Sequence, residues 1–224
     1  MKKILLLIIS ALLILPYSSC TKPSPEEPED GKEEGSGENN GTEEGGNDNT
    51  GDTLTYAIGE YIEVGLSKGI VVFVDETAQH GLMISLDQGR TAWASDYEML
   101  DEMGGTFSPS DGYANMQYIK SLENWKERFP AFAWCDSKNV LGLNAWYLPT
   151  YHEFEHIYNS LEIINGTLVA CGKEPLHTGT TDNYWTSVEM GVQDAYAFSF
   201  FYGEISPYDT DKKMEHHVIA MRSF

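Results

Sequence analysis

The chain has 224 residues and a formal net charge of −21 at pH 7, with 41% hydrophobic and 12% aromatic residues. This length is ample for one folded domain plus appendages. So acidic a chain repels DNA, RNA and anionic lipid headgroups, which excludes nucleic acid as a partner, whereas neutral sugars, cationic proteins and calcium remain compatible.

Residues 1–20 have the pattern of a bacterial lipoprotein signal peptide. Lys2 and Lys3 precede an apolar run from Ile4 to Leu15, which is too short to span a bilayer but typical of a signal sequence. The small residues before Cys20 resemble a lipobox, whose cysteine carries the lipid. We therefore expect an outer-membrane lipoprotein lipidated at Cys20, at the cell surface or facing the periplasm. Ordinary secretion with an unmodified Cys20 is the alternative.

Residues 21–52 form a second segment without apolar or aromatic side chains, containing two Lys against eleven Asp and Glu. Such a composition cannot bury a core, so we predict a disordered acidic, Gly-rich tether with an r.m.s. reach of roughly 30 Å. Membrane association would then depend on the lipid anchor alone. Once the −9 of the tether and the +2 of the signal lysines are taken from the total of −21, residues 53–224 carry −14.

Strand patterns begin and end the region 53–224, which we predict to be one domain. Segments rich in β-branched and apolar residues predict early strands at 61–64, 69–75 and 82–87. Alternating aromatic and polar residues predict late strands at 184–189, 195–202, 204–206 and 217–224. The stretch between them that starts at 93 has little periodicity as far as 112, so we expect it to be irregular.

Two helical regions lie between the strand patterns. The first has a candidate cap at Asn115 and an apolar stripe that continues to Phe129, and Pro130 fits the first turn of a short continuation. The second begins after Thr150. Strands, two main helices and then strands again predict an α+β domain with a mostly antiparallel sheet.

The start of the second helical region admits two interpretations. Thr150 with Glu153 three residues later spells a capping box. His152, Glu153 and His156 also match the H-E-x-x-H pattern of zinc peptidases, for which Glu174 is a nominal third ligand. Glu153 would sit in the first turn, where a cap uses its carboxylate. The pattern therefore favours the cap, and we predict no catalytic residue and no metal site.

Two cysteines and a pair of histidines also carry reactive or ligating groups. Cys135 and Cys171 each follow a predicted helix, and the exported compartment would permit a disulfide between them. Two buried free thiols are the alternative. His216 and His217 precede the last predicted strand and are expected at the surface.

Several short motifs occur in one order: Gly81-Leu82 after a strand, Asp111-Gly112 with Asn115, Trp146-Tyr147-Leu148-Pro149-Thr150 with Glu153, Tyr184-Trp185-Thr186-Ser187, and Arg222-Ser223-Phe224. This set resembles the bacterial domain family related to the C-terminal domain of the Legionella collagen-like adhesin, and the similar Fibrobacter succinogenes major paralogous domain. The resemblance implies a C-type-lectin-like fold with paired first and last strands and a loop-rich ligand face. It gives structural roles to Asn115, Trp146, Leu148, Pro149, Glu153, Tyr184, Trp185, Arg222 and Phe224.

Sugar recognition needs a ring for stacking and carboxylate or amide partners for hydroxyl groups. Residues of these types near the late strands give the candidate ligand-binding set Asp182, Asn183, Tyr184, Tyr202, Tyr208 and Asp209. No cofactor is predicted. Calcium is compatible with the acidic charge, but the E-P-N and W-N-D signatures of calcium-binding lectins are absent.

These features together predict a non-enzymatic ligand-binding or adhesion module on the bacterial cell envelope. Its ligand would be a glycan or a protein, and a domain carrying −14 is poorly suited to sulfated, polyanionic glycans. One alternative is a structural or tip subunit of a surface or pilus-like assembly. The other is a zinc-dependent hydrolase using His152, Glu153 and His156. The sequence indicates no oligomeric state.

Overall fold

The structure is a computed structural model that describes residues 54–101, 104, 106–140, 145–208 and 210–224. The predicted signal peptide, lipidated Cys20, the tether and Asp209 lie outside these residues. The strands are β1 (Tyr61–Val64), β2 (Ser67–Val74), β3 (Gly81–Ala92), β4 (Tyr184–Glu189), β5 (Ala195–Ser199), β6 (Glu204–Ile205) and β7 (Glu215–Ser223). The helices are α1 (Gly112–Lys120), α2 (Trp125–Arg128), α3 (Pro130–Asp136), α4 (Tyr151–Tyr158) and α5 (Leu161–Ala170).

The seven strands form one sheet in the order β1-β2-β3-β7-β4-β5-β6. Every neighbouring pair is antiparallel except β4 and β7, which run parallel. This confirms the predicted mixture of helices with a mostly antiparallel sheet. The helices all lie in the connection between β3 and β4. No helix within the described ranges is long and apolar enough to cross a membrane.

The last strand pairs with the third strand, so the pairing of first and last strands implied by the family resemblance is wrong. The chain forms two successive hairpins, β1–β2 and β2–β3, which leaves β1 at the edge and the far side of β3 open to β7. The two ends of the domain still meet. Phe224 exchanges backbone hydrogen bonds with Gly81, and its ring lies edge-on to Tyr56 with centroids 4.9 Å apart.

Both faces of the central strand β7 are covered. Residues 218–221 are all buried, and successive strand residues point to opposite faces of a sheet. Helix α4 contributes Phe154, which stacks on Phe198 with centroids 5.4 Å apart. Helix α3 contributes Phe132, which meets Trp93 edge-on at 5.2 Å. The core therefore lies between the sheet and the helices that pack against it.

The first helical region begins and breaks at positions other than those predicted. Asp111 is the N-cap of α1, and its side chain accepts a hydrogen bond from Ala114 N at 2.8 Å. The predicted cap at Asn115 is therefore wrong, since this residue lies buried inside α1. Asn124, with a left-handed φ of 51°, separates α1 from α2, so the predicted continuous stripe is interrupted. Pro130 starts α3, as predicted.

The second helical region is also divided. Helix α4 ends at Tyr158 and α5 begins at Leu161, with Asn159 and Ser160 between them. The two main helices predicted are therefore five shorter helices in the part of the chain that the structure describes.

Cys135 is a free, buried thiol on α3, and its Sγ lies 3.8 Å from the carbonyl oxygen of Ile219. The candidate disulfide between Cys135 and Cys171 is therefore not formed. Burial raises the pKa of the Cys135 thiol well above its ordinary value, which keeps it protonated and unreactive.

Candidate functional site

The capping box at the start of α4 is confirmed, and it occupies the Glu153 carboxylate. Glu153 N donates to Thr150 Oγ1 at 3.2 Å, and Thr150 N donates to Glu153 Oε2 at 2.7 Å. The Tyr147 hydroxyl donates to Glu153 Oε1 at 2.8 Å. Burial raises the pKa of Glu153, and the hydrogen bonds to its carboxylate act in the opposite direction. Both carboxylate oxygens of Glu153 therefore accept hydrogen bonds from neighbouring parts of the domain.

The two histidines of the H-E-x-x-H pattern face other partners. His152 Nδ1 lies 3.2 Å from Glu155 Oε1 on the exposed side of α4. The His156 ring packs on Phe73 with centroids 4.6 Å apart. Among the residues that the structure describes, no third histidine, cysteine or carboxylate joins them as a metal ligand. The Glu153 carboxylate is thus held by the cap, while His152 and His156 contact Glu155 and Phe73.

Three of the family motifs meet around the Asn115 side chain. Its amide exchanges hydrogen bonds with the backbone of Ser108 and donates to Ser187 Oγ at 2.9 Å. Ser187 N donates to the carbonyl oxygen of Pro149 at 2.7 Å. Asn115 thus links α1 to β4, and β4 to the segment that precedes α4. This role is structural.

The other motif residues also serve the fold. Trp146, Leu148 and Trp185 are buried, and Trp185 Nε1 donates to the carbonyl oxygen of Thr91 at 3.0 Å. Arg222 reaches across the sheet, where Nη1 donates to Ser67 Oγ at 2.6 Å. These contacts connect separate elements of the domain.

Some residues of the predicted ligand-binding set are buried in the structure and others are exposed. Asn183 and Tyr184 are buried, so they cannot face a ligand as predicted. Asp182 is partly exposed, and Tyr202 and Tyr208 are exposed. Because β6 reverses the direction of β5, the turn holding Tyr202 lies at the Asp182 end of the sheet, while Tyr208 follows β6 toward the opposite end. Asp209 lies outside the described residues.

Three side chains with metal-ligand chemistry meet near the start of β7. His177 and Asp182 lie in the loop between α5 and β4, and His217 lies on β7. One ligand atom from each residue lies within 4.8 Å of the other two. His217 Nε2 is 3.5 Å from Asp182 Oδ1, and the rings of His177 and His217 stack with centroids 4.0 Å apart. We call these three residues the histidine–aspartate cluster.

Burial lowers the pKa of His217, and the neighbouring His177 acts in the same direction while Asp182 opposes it. The expectation that His216 and His217 lie at the surface is wrong. His216 is buried, and its ring lies 4.4 Å from that of Trp185. Sequence reasoning found Asp182 but not the cluster, because nothing in the sequence indicated which histidine would face it.

An exposed group of aromatic rings surrounds Gly203, in the turn between β5 and β6. Phe201 and Tyr202 are 53% and 45% exposed, and their rings meet edge-on at 5.0 Å. Gly203 has a φ of 75°, and a Cβ there would lie 2.4 Å from the Tyr158 ring. The Tyr158 ring therefore lies directly against this turn. We call Tyr158, Phe201 and Tyr202 the aromatic patch.

A groove with a volume of about 530 Å³ begins at Tyr158 and follows the junction between α4 and α5. Both polar and apolar side chains line it; the lining residues are Tyr158, Asn159, Ser160, Leu161, Glu162, Ile163 and Asn165. The amide and carboxylate groups of Asn159 and Glu162 are exposed to solvent. Sequence reasoning missed this groove, because it is created where the predicted long helix breaks.

A buried ion pair closes the other end of the sheet. Lys212 Nζ lies 2.5 Å from Glu189 Oε1, and each side chain is 1% exposed. Glu189 Oε2 also accepts hydrogen bonds from the backbone nitrogens of Leu100 and Asp101, at 2.9 and 2.8 Å. The pair connects the end of β4 with the irregular segment that follows β3. All of its polar atoms have partners, so we assign it to stability rather than to ligand binding.

Comparisons with known proteins give little further information. No protein-family model and no curated protein matches the chain. Among solved structures, the chain is similar to a fimbrial protein from Bacteroides ovatus ATCC 8483, with 17% identity and a TM-score of 0.48. The match covers 63% of this chain and 35% of the fimbrial protein, so the chain spans about a third of that protein's length. A likeness at this level carries no functional argument.

Proposed function

We propose that this protein is a non-enzymatic ligand-binding or adhesion module, held on the bacterial cell envelope by a lipidated Cys20 and the tether at 21–52. The observation that carries the proposal is the aromatic patch at the mouth of the groove between α4 and α5. A glycan is the ligand class that this combination suits best.

Exposed rings in a glycine turn need an explanation beyond packing. Aromatic side chains are the largest contributors to core and interface burial, yet Phe201 and Tyr202 remain about half exposed. Gly203 and the short β5–β6 pairing hold their backbone in place. A rigid exposed ring can stack on the apolar face of a sugar at little cost in conformational entropy.

The groove supplies the complementary polar chemistry. Binding sites commonly combine apolar and aromatic surfaces with a few placed polar groups, in clefts of about 300–1,000 Å³. The exposed Asn159 amide can donate to sugar hydroxyls and accept from them, and the exposed Glu162 carboxylate can accept from them. Tyr158 belongs to both the patch and the groove, so one ligand can contact both.

A non-enzymatic role is supported by the positions of the candidate catalytic residues. Glu153 is committed to the helix cap and to Tyr147. His156 is packed against Phe73. A hydrolase using His152, Glu153 and His156 would have to release the carboxylate from these bonds and recruit a further ligand.

We also infer that the domain is a variant of the C-type-lectin-like fold. Support comes from the meeting of the chain ends at Tyr56 and Phe224, and from the convergence of the family motifs on Asn115 and Ser187. The pairing of β7 with β3 rather than with β1 would be the departure of this chain from that fold.

The test is a glycan and host-protein array probed with the full chain purified in detergent, with and without calcium. We expect specific binding to one neutral glycan class. Tyr202→Ala should weaken that binding about two- to tenfold, since an aromatic contact contributes about 0.5–1.5 kcal/mol beyond burial. Glu162→Gln should weaken it as well.

Tyr113→Ala is the matched control, because Tyr113 is exposed to a similar extent but lies on α1, away from the patch. Its affinity should equal that of the wild type. Binding that survives both Phe201→Ala and Tyr202→Ala would place the ligand elsewhere. An array without any specific binding would overturn the proposal and favour a structural or tip subunit of a surface assembly.

A further inference from the structure

We propose that the histidine–aspartate cluster, His177, Asp182 and His217, is a binding site for a divalent transition-metal ion of the zinc class. Two imidazoles and one carboxylate are the donors that Zn²⁺ and its neighbours in the first transition row prefer, whereas Ca²⁺ and Mg²⁺ take oxygen ligands. The site is separate from the H-E-x-x-H pattern on α4. It is also independent of the glycan proposal.

The three ligand atoms are close to the spacing that one ion requires. Ligand atoms around a tetrahedral zinc ion lie about 3.4 Å apart. His217 Nε2 and Asp182 Oδ1 are already 3.5 Å apart, and all three ligand atoms lie within 4.8 Å of one another. A contraction of about 1 Å or less per ligand therefore closes the site.

The ring of His177 must also rotate, because one ion cannot lie in the planes of two parallel stacked imidazoles. His177 lies in the loop between α5 and β4, outside any helix or strand, so its side chain can turn without disturbing the sheet. His217 is fixed on β7. The two rings are inclined by only 15°, so His177 has to turn out of this stack to share an ion with His217.

A chain of hydrogen bonds holds the backbone of His177 against the sheet. His177 N donates to the Tyr184 hydroxyl at 2.9 Å, and that hydroxyl donates to Gln88 Oε1. Gln88 Nε2 in turn donates to the carbonyl oxygens of Glu174 and Pro175. The tyrosine is buried in the core. These bonds fix the buried side of the loop, while the His177 imidazole remains available as a metal ligand.

The other two ligands have supports of the same kind. Gly179 N donates to Asp182 Oδ2 at 3.0 Å, which leaves Oδ1 directed at His217. A Cβ at Gly179 would lie 2.6 Å from Asp182 Oδ2, so a larger residue at this position would displace the carboxylate. His217 N donates to the carbonyl oxygen of Asn183 at 2.9 Å. The bond to Asp182 is of the kind that orients ligating carboxylates in known sites, whereas the bond from His217 fixes its backbone on the sheet.

Three protein ligands leave one tetrahedral position open. Sites closed by four protein ligands are structural, whereas three-ligand sites bind water or an external donor in the fourth position. The side chains of His217 and Asp182 are 12% and 31% exposed, so solvent reaches the cluster. The ion would therefore present one exchangeable position at the Asp182 end of the sheet.

Isothermal titration of the full chain with Zn²⁺ alone tests the site. We expect one strong equivalent in the wild type, and a tetrahedral absorption spectrum when Co²⁺ is titrated instead. His177→Asn and Asp182→Asn should each weaken Zn²⁺ binding by at least about 100-fold, since even loss of a supporting partner costs 10- to 100-fold. His177 is a loop residue, so its variant should keep the fold.

The double variant His152→Asn with His156→Asn is the matched control, because it removes the other histidine pair and leaves the cluster intact. It should bind Zn²⁺ like the wild type. Gln88→Ala should weaken binding about tenfold while circular dichroism stays unchanged. Zn²⁺ affinity that is unaffected by His177→Asn, or lost in the α4 double variant, would overturn the proposal.

Discussion

Replacing Lys212 with methionine should remove a large share of the stability of this domain. The Lys212 ammonium donates to the carbonyl oxygens of Glu98 and Val192 and to the Glu189 carboxylate, and lies 5.0 Å from the Trp93 ring centroid. Methionine keeps an unbranched side chain, one atom shorter than that of lysine, and supplies no charge and no donor. The Glu189 carboxylate then remains buried with two backbone donors and no cation.

The expected magnitude follows from the number of groups left without partners. Breaking a buried pair by removing one partner costs about 3–5 kcal/mol, and Lys212→Met and Glu189→Gln should each fall in this range. The double variant contains no buried charge, and its glutamine oxygen can still accept from Leu100 and Asp101. Only the carbonyl groups of Glu98 and Val192 then lose a donor, which costs about 1 kcal/mol for each group. The double variant should therefore be more stable than either single variant.

The measurement is urea unfolding of the four proteins, extrapolated to zero denaturant. The exposed pair Lys68 and Glu63, with side chains 57% and 50% exposed, is the control. Lys68→Met should cost less than about 1 kcal/mol, and that cost should shrink further at high salt. The cost of Lys212→Met should be nearly independent of salt.

A cost of less than about 1 kcal/mol for Lys212→Met would refute the stabilising role of this buried pair. A double variant that lost the sum of the two single losses would refute it as well, because the two groups would then act independently.

The remaining predictions concern the helix cap. Thr150→Ala should lower the free energy of unfolding by about 1 kcal/mol, whereas Thr150→Ser, which keeps the oxygen, should lose less. Because burial raises the pKa of Glu153 above its ordinary value of 4.5, the folded state binds this proton more readily than the unfolded state does. The stability gained from the protonated carboxyl is present below the unfolded pKa and is lost as pH rises through the folded pKa. The unfolding free energy of the wild type minus that of Glu153→Gln should therefore fall with rising pH across this window, as measured by urea unfolding at several pH values. A difference that rises with pH would show that the hydrogen bonds to Glu153 outweigh its burial.

Much of the secondary structure could be predicted because its causes are local. The β-branched run before Asp75 and the aromatic alternation after Asn183 form strands where expected. Thr150, Glu153 and Pro130 act within one helical turn of their own positions, so spacing alone identifies their roles.

Local patterns failed where a distant partner competes. Asn115 has the residue type of a helix cap, but its amide is satisfied by Ser187, 72 positions later in the chain. Asp111, four positions earlier, takes the cap instead. Strand β3 likewise continues past its predicted end to Ala92, because β7 supplies a hydrogen-bonding partner along this length.

The candidate sites also depend on residues that are distant in the chain, which local patterns cannot predict. The sequence by itself determined which residue types were present near the late strands, and it selected Asp182 and Tyr202 for their chemistry. Only the tertiary structure placed His177 and His217 against Asp182, buried Asn183 and Tyr184, and created a groove beside Tyr158. The physical reason is that helix caps and strand alternation depend on neighbours in the chain, whereas burial and ligand geometry depend on strand order. The parallel pairing of β4 with β7, which brings the ligands of the cluster together, has no local signal in the sequence.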